Sequence, residues 1–204
     1  MNLLTILESF SALNIVAALI PSVAFLLLLL YYTIFGSKKS PKPKIVTLKE
    51  PIKVIGVSTK TSRKTFVEDD RFLWKEYKLT KEKGLIKNKK EEHSFIAIRK
   101  ASDNEDSWEY LIGDIVHDFD NVPVGLKTVE VPPISYAAFH IHVENENSWA
   151  PTILRVEKYI YEKWLPKSKF KLDKSSPVRE IEYHDKRNPE ITRTIIFYVP
   201  ICRK

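Results

Sequence analysis

Residues Trp149–Trp164 read WAPTILRVEKYIYEKW. Ile153, Val156, Ile160 and Trp164 recur at spacings of 3, 4 and 4, which predicts one apolar stripe on an amphipathic helix. Pro151 fits the first helical turn, where no N–H is needed, and Pro166 stops the helix. Two β-rich runs, Leu126–Val131 and Tyr136–Val143, lie upstream around Pro132-Pro133. Val178–Asp185 and Thr192–Val199 follow downstream, with Asn188-Pro189 marking the turn between them. The unit is β-α-β-β.

The same order occurs earlier in the chain. Ile45–Thr59 is β-rich around Pro51. Phe66–Lys83 is helix-like, with Phe66, Leu73, Trp74 and Tyr77 near helical spacing and Gly84 as its stop. Ser94–Arg99 and Trp108–Val116 are strands separated by the polar turn Ser102–Ser107. Two such units predict an α+β domain made by duplicated β-α-β-β modules, with antiparallel sheets and two covering helices.

Charge is distributed unevenly. The 204 residues include 33 Lys and Arg, 26 Asp and Glu, one Cys and five Gly. Ser9–Ser37 carries no charge, so all 33 basic residues and 25 of the acids fall in Lys38–Lys204, a net charge of +8. Residues 14–36 are apolar enough to predict one transmembrane helix, since about 20 apolar residues span a bilayer. The lack of Lys or Arg in Met1–Phe10 and the poor cleavage context of Tyr31–Phe35 argue against a cleaved signal peptide. Lys38, Lys39, Lys42 and Lys44 follow the span, so the positive-inside rule places the C-terminal domain in the cytoplasm. The expected organisation is a tail over 1–13, a span over 14–36, a basic linker over 37–48 and a domain over 49–204. The basic flank suits anionic lipid headgroups.

Several functions are excluded. One Cys leaves no disulfide framework, and five scattered Gly provide no phosphate loop. Ala101–Leu126 has seven acids and no Lys or Arg, so the basic excess is not one nucleic-acid patch. No nucleic acid, cofactor or metal is expected. His140-x-His142 with His184 or His117 completes no familiar ligand spacing.

Six motifs in order carry a family resemblance. They are Trp108–Gly113, Pro123-x-Gly125-Leu126, Val131-Pro132 with Tyr136–Phe139, Tyr161-x-x-Trp164-Leu-Pro166-x-Ser168-x-Phe170, Ile181-Glu182-Tyr183, and Val199-Pro200-Ile201. Together they resemble the GyrI-like small-molecule-binding domain, also called the AraC-type effector-binding domain, over about Lys49–Arg203. The resemblance implies two pseudo-symmetric modules around a ligand groove. It also implies that a groove glutamate, Glu182 here, receives cationic or polar aromatic ligands. Where family transcription factors carry a helix-turn-helix domain, this sequence has its apolar span. Ile-Glu-Tyr-His stands where the family pattern reads Phe-Glu-x-Tyr.

Strand parity gives an independent reading. Ile181 and Tyr183 share one face of their strand; Glu180, Glu182 and His184 share the other. If the apolar face packs a helix, the polar face lines the groove; a solvated face is the alternative. Carboxylates among aromatic walls attract cations through charge and ring faces. The candidate ligand-binding residues are Glu182, Trp108, Tyr110, Tyr136, Phe139, Tyr161 and Trp164, with Phe139 and Trp164 also readable as core. The expected protein is a membrane-anchored small-molecule-binding module. The first alternative is a hydrolase using a groove carboxylate on an electrophilic substrate. The second is an adaptor with an occluded groove and a protein partner at the membrane.

Overall fold

The computed structural model describes residues 41–102, 106–143, 149–185 and 194–204. The expected tail and transmembrane span, and the Asn188-Pro189 turn, lie outside the described residues. Among the described residues no helix is long and apolar enough to cross a membrane.

The first module consists of strand β2 (Ile52–Ser62), helix α1 (Phe66–Glu82), β3 (Ser94–Lys100) and β4 (Ser107–Val116). The second consists of β6 (Ser135–His142), α2 (Trp149–Tyr159), β8 (Val178–Asp185) and β9 (Thr194–Arg203). Helix α2 runs on into a π-turn, Ile160–Trp164, and a short helix α3, Leu165–Lys167. β7 (Phe170–Leu172) adds to β9. The β-α-β-β repeat is therefore present in both halves.

With β1 (Lys44–Thr47) and β5 (Lys127–Val131), the antiparallel sheets expected from the sequence are instead one continuous sheet, ordered β1-β6-β9-β8-β3-β4-β2-β5. The reason is the pairing of β3 with β8, which joins the two modules edge to edge. The proline-broken runs are also shared between modules. β1 pairs with β6 of the second module, while β5 pairs with β2 of the first. Lys44–Thr47 lies within the expected 37–48 linker, and its β-rich Ile45–Thr47 part forms a strand of the sheet.

Alternation along the strands builds a core on each face. Val54, Ile96, Ile98, Leu111, Tyr136 and Ile181 form one cluster. On the other face, Leu73 and Tyr77 of α1 cover Phe95, Ala97, Tyr110 and Ile112. Val156 and Ile160 cover Phe139, Ile141, Phe197 and Val199. Both helices therefore lie on the face that carries Phe95, Glu180 and Glu182. This corrects the expectation that the helices pack against the Ile181 face: that face has its own apolar core, and the helices flank the groove.

Local chemistry fixes the frame. Gly56 and Gly113 stand opposite each other on β2 and β4. A Cβ at Gly56 would approach the Ile112 carbonyl oxygen to 2.1 Å, so glycine is required. Gly84, at φ +56°, ends α1 in the left-handed region. Tyr77 Oη donates to the buried Asp114 carboxylate at 2.7 Å, pinning α1 to β4.

Candidate functional site

The groove floor is built from three rungs across the β3–β8 junction. Phe95 pairs with His184, Ala97 with Glu182, and Arg99 with Glu180. Their side chains are very different. Phe95 and His184 stack with ring centroids 4.1 Å apart. Arg99 Nη1 donates to Glu180 at 2.8 Å. Between them, the methyl group of Ala97 leaves room beside Glu182.

The walls come from helical stripes. Phe66, Asp70 and Trp74 follow one another at i, i+4, i+8 on α1, and Ile153 and Glu157 continue to Tyr161 in the same spacing from α2 into its π-turn. The wider turn at Ile160–Trp164 brings Tyr161 Oη to Glu180 Oε1, to which it donates at 2.6 Å. β4 contributes Trp108 and Tyr110. Phe66 contacts the Trp108 and Tyr110 rings at 5.8 and 5.2 Å. These residues line an open cavity of about 1040 Å³. An adaptor with a groove filled by its own side chains does not match this volume.

The electrostatics separate two regions. Arg99 bridges Glu180 and Glu157, at 2.8 and 3.1 Å, and lies 4.3 Å over the Trp108 ring. Burial opposes its charge, but Glu180 and Glu157 more than offset this and hold the guanidinium above its ordinary range. Burial also lifts Glu180 to about 7, against the pull of Arg99. Around the central rung the balance is acidic. Asp70 and Glu182 line the cavity, and among the described residues neither has a Lys or Arg within ion-pair range. His184 Nε2 lies 3.4 Å from Glu182. Burial and then the Glu182 charge raise the Asp70 carboxyl to about 6. Burial, Glu182 and Asp70 push the Tyr110 phenol well up, so it keeps its proton as a donor.

The structure thus brings together Glu182, Trp108, Tyr110 and Tyr161 of the sequence candidates. Three others lie elsewhere. Tyr136 points to the opposite face, where its hydroxyl donates to the Pro132 carbonyl at 2.9 Å. Phe139 is fully buried beneath α2, and Trp164 packs edge-on against it at 5.2 Å. The physical reason is parity: Tyr136 and Phe139 differ by an odd number of residues, so they share no face, and Phe139 is covered by the helix itself. His140 and His142 share the Tyr136 parity, so they face away from His184. Asp70, Arg99 and Glu157 escaped the sequence reading. The Phe66–Asp70–Trp74 stripe was the available signal for Asp70, whereas Arg99 and Glu157 become site residues only through long-range pairing.

A single antiparallel sheet, two flanking helices and an aromatic groove between pseudo-symmetric modules define a GyrI-like effector-binding fold. The chain belongs to the Cass2 family of integron-associated effector binding proteins, whose family model matches residues 44–201. No curated protein matches the sequence. Among solved structures, SAV2435 bound to tetraphenylphosphonium is 10% identical, with a TM-score of 0.60 over 79% of this chain and 94% of that one. The Vibrio cholerae integron cassette protein is 13% identical, with a TM-score of 0.56 over 79% and 96%. A putative transcription regulation protein from Staphylococcus aureus MU50 is 12% identical, with a TM-score of 0.58 over 79% and 98%. At these identities the likeness concerns the fold.

Proposed function

We propose that this chain is a membrane-tethered binding module for a small lipophilic cation. The observation that carries the reading is the central rung: Glu182 opposite Ala97, in an aromatic cavity shared with Asp70 and without a Lys or Arg partner among the described residues. A delocalised cation would meet two carboxylates and the faces or edges of Phe66, Trp74, Trp108 and Tyr110. The tetraphenylphosphonium-bound SAV2435 shares the fold and supports the ligand class. Glu180 already accepts from Arg99 and Tyr161, which favours binding over turnover. Titrating the chain with tetraphenylphosphonium tests the proposal. Glu182→Gln should weaken binding by roughly 10-fold or more, the worth of about 1.4 kcal/mol; unchanged affinity would remove Glu182 from the site.

Tethering is drawn from the uncharged Ser9–Ser37 stretch and the Lys38–Lys44 flank, with the binding domain on the cytoplasmic side. The full chain should remain with membranes through alkaline extraction, and deletion of residues 14–36 should release it. Release of the intact chain by alkali would contradict the tether. In sealed cells the C-terminal domain should resist added protease; its digestion there would reverse the orientation.

A further inference from the structure

The groove holds two groups of residues of the same composition. One contains Glu182 from β8, Asp70 from α1 and Tyr110 from β4. The other contains Glu180 from β8, Glu157 from α2 and Trp108 from β4. Each group has one sheet acid, one helix acid and one β4 ring. The second group encloses a cation supplied by the chain, Arg99, held at 2.8 and 3.1 Å from its two acids and 4.3 Å above its ring. Only 20% of the Arg99 side chain is exposed. Position 97, two residues along the same face of β3, has an alanine in place of a cation.

We infer that Arg99 is the built-in occupant of a second cation cage, so that the groove accepts ligands with a single positive centre. This inference rests on the cation-binding reading above and specifies its ligand class. A guanidinium between two carboxylates and over an indole is neutralised and stacked, as a ligand cation would be. While it is in place, a second ligand charge meets a cation instead of two acids. Arg99 therefore sets specificity through charge count. Its removal leaves Arg179, 5.9 Å over the Tyr161 ring, as a more distant cation beside Glu180, and the Glu180–Glu157 pair can then accept a second positive centre.

The test compares tetraphenylphosphonium with an alkylene-bridged bis(triphenylphosphonium), titrated calorimetrically into the full chain and into Arg99→Gln at about pH 9, above the raised Glu180 carboxyl, so that Glu180 is ionised without its guanidinium. The native chain should bind the dication no more than about threefold tighter than the monocation. Arg99→Gln should prefer the dication by roughly 10-fold or more, and adding Glu180→Gln should abolish that preference. A native preference for the dication of that size, or a folded Arg99→Gln without it, overturns the inference and leaves cation binding standing. Failure of the native chain to bind either probe overturns both. A second measurement does not require a stable variant: ethylguanidinium should raise the thermal midpoint of Arg99→Ala but not that of the native chain. Absence of such a rise in Arg99→Ala also overturns the inference.

Discussion

Glu182 on β8 stands directly opposite Ala97 on β3, on the rung between the Phe95–His184 stack and the Arg99–Glu180 ion pair. The smallest side chain on that floor is therefore beside the acid proposed to receive the ligand. Ala97 is 1% exposed yet lines the cavity, so enlarging it fills ligand space without exposing apolar surface. Ala97→Leu should weaken tetraphenylphosphonium binding by roughly 10-fold or more, while overpacking costs about 1–3 kcal/mol of stability. Calorimetric titration and urea unfolding separate the two effects. Native affinity in a folded Ala97→Leu would mean that the ligand avoids the central rung.

The pH response follows from the two raised carboxyls. Asp70 rises from 3.8 to about 6, and Glu180 from 4.5 to about 7, both chiefly through burial. The folded chain then binds protons that the unfolded chain has already released. This contribution to stability is fully present below about pH 4 and is lost as pH rises through about 6 to 7. Asp70→Asn should flatten the lower part of that dependence in thermal melts. Cation affinity should move in the opposite direction, strengthening as pH rises through about 6 and Asp70 ionises. A pH-independent tetraphenylphosphonium affinity would place the ligand away from Asp70.

The Tyr77–Asp114 bond anchors the helix that carries Asp70. Asp114 is 1% exposed, with Lys89 Nζ at 3.3 Å from its other oxygen. Tyr77→Phe removes a donor from a buried carboxylate and should cost about 1.5–3 kcal/mol in urea unfolding. A loss below about 0.5 kcal/mol would mean that the bond contributes little to holding α1.

Tyr136 provides the matched comparison for the groove aromatics. Its hydroxyl bonds Pro132 on the opposite face of the sheet. Tyr136→Phe should reduce stability by about 0.5–1.5 kcal/mol, with tetraphenylphosphonium affinity within about twofold of native. Trp108→Leu should instead weaken binding. If Tyr136→Phe changed affinity while Trp108→Leu did not, the assignment of faces would be reversed.

The repeated elements were legible because local pattern specifies them: the Ile153–Val156–Ile160–Trp164 stripe, the strand parity of Glu180, Glu182 and His184, and the proline breaks. How those elements assemble was not legible. The β3–β8 junction, which converts two modules into one sheet, depends on pairing between residues some 80 positions apart. The same is true of Arg99, which reads as an ordinary strand-end cation until β8 and α2 supply Glu180 and Glu157. Parity showed which residues share a face, but not which face the helices would cover. This is why Tyr136 could not be separated from Tyr110 as a groove residue by sequence alone, whereas Phe139 was already readable as core.

In the proposed site, charge and not apolar surface alone selects the ligand. Tetraphenylphosphonium and tetraphenylborate have nearly the same shape and opposite charge. Titrating both into the native chain at neutral pH isolates the contribution of the cavity's charges, and repeating it with Glu182→Gln assigns the share of Glu182. The cation should bind at least about 100-fold more tightly, because each charge contact is worth about 1–4 kcal/mol at 4 Å and reverses sign for the anion. Equal affinity for the two ions would mean that the groove carboxylates do not select the ligand.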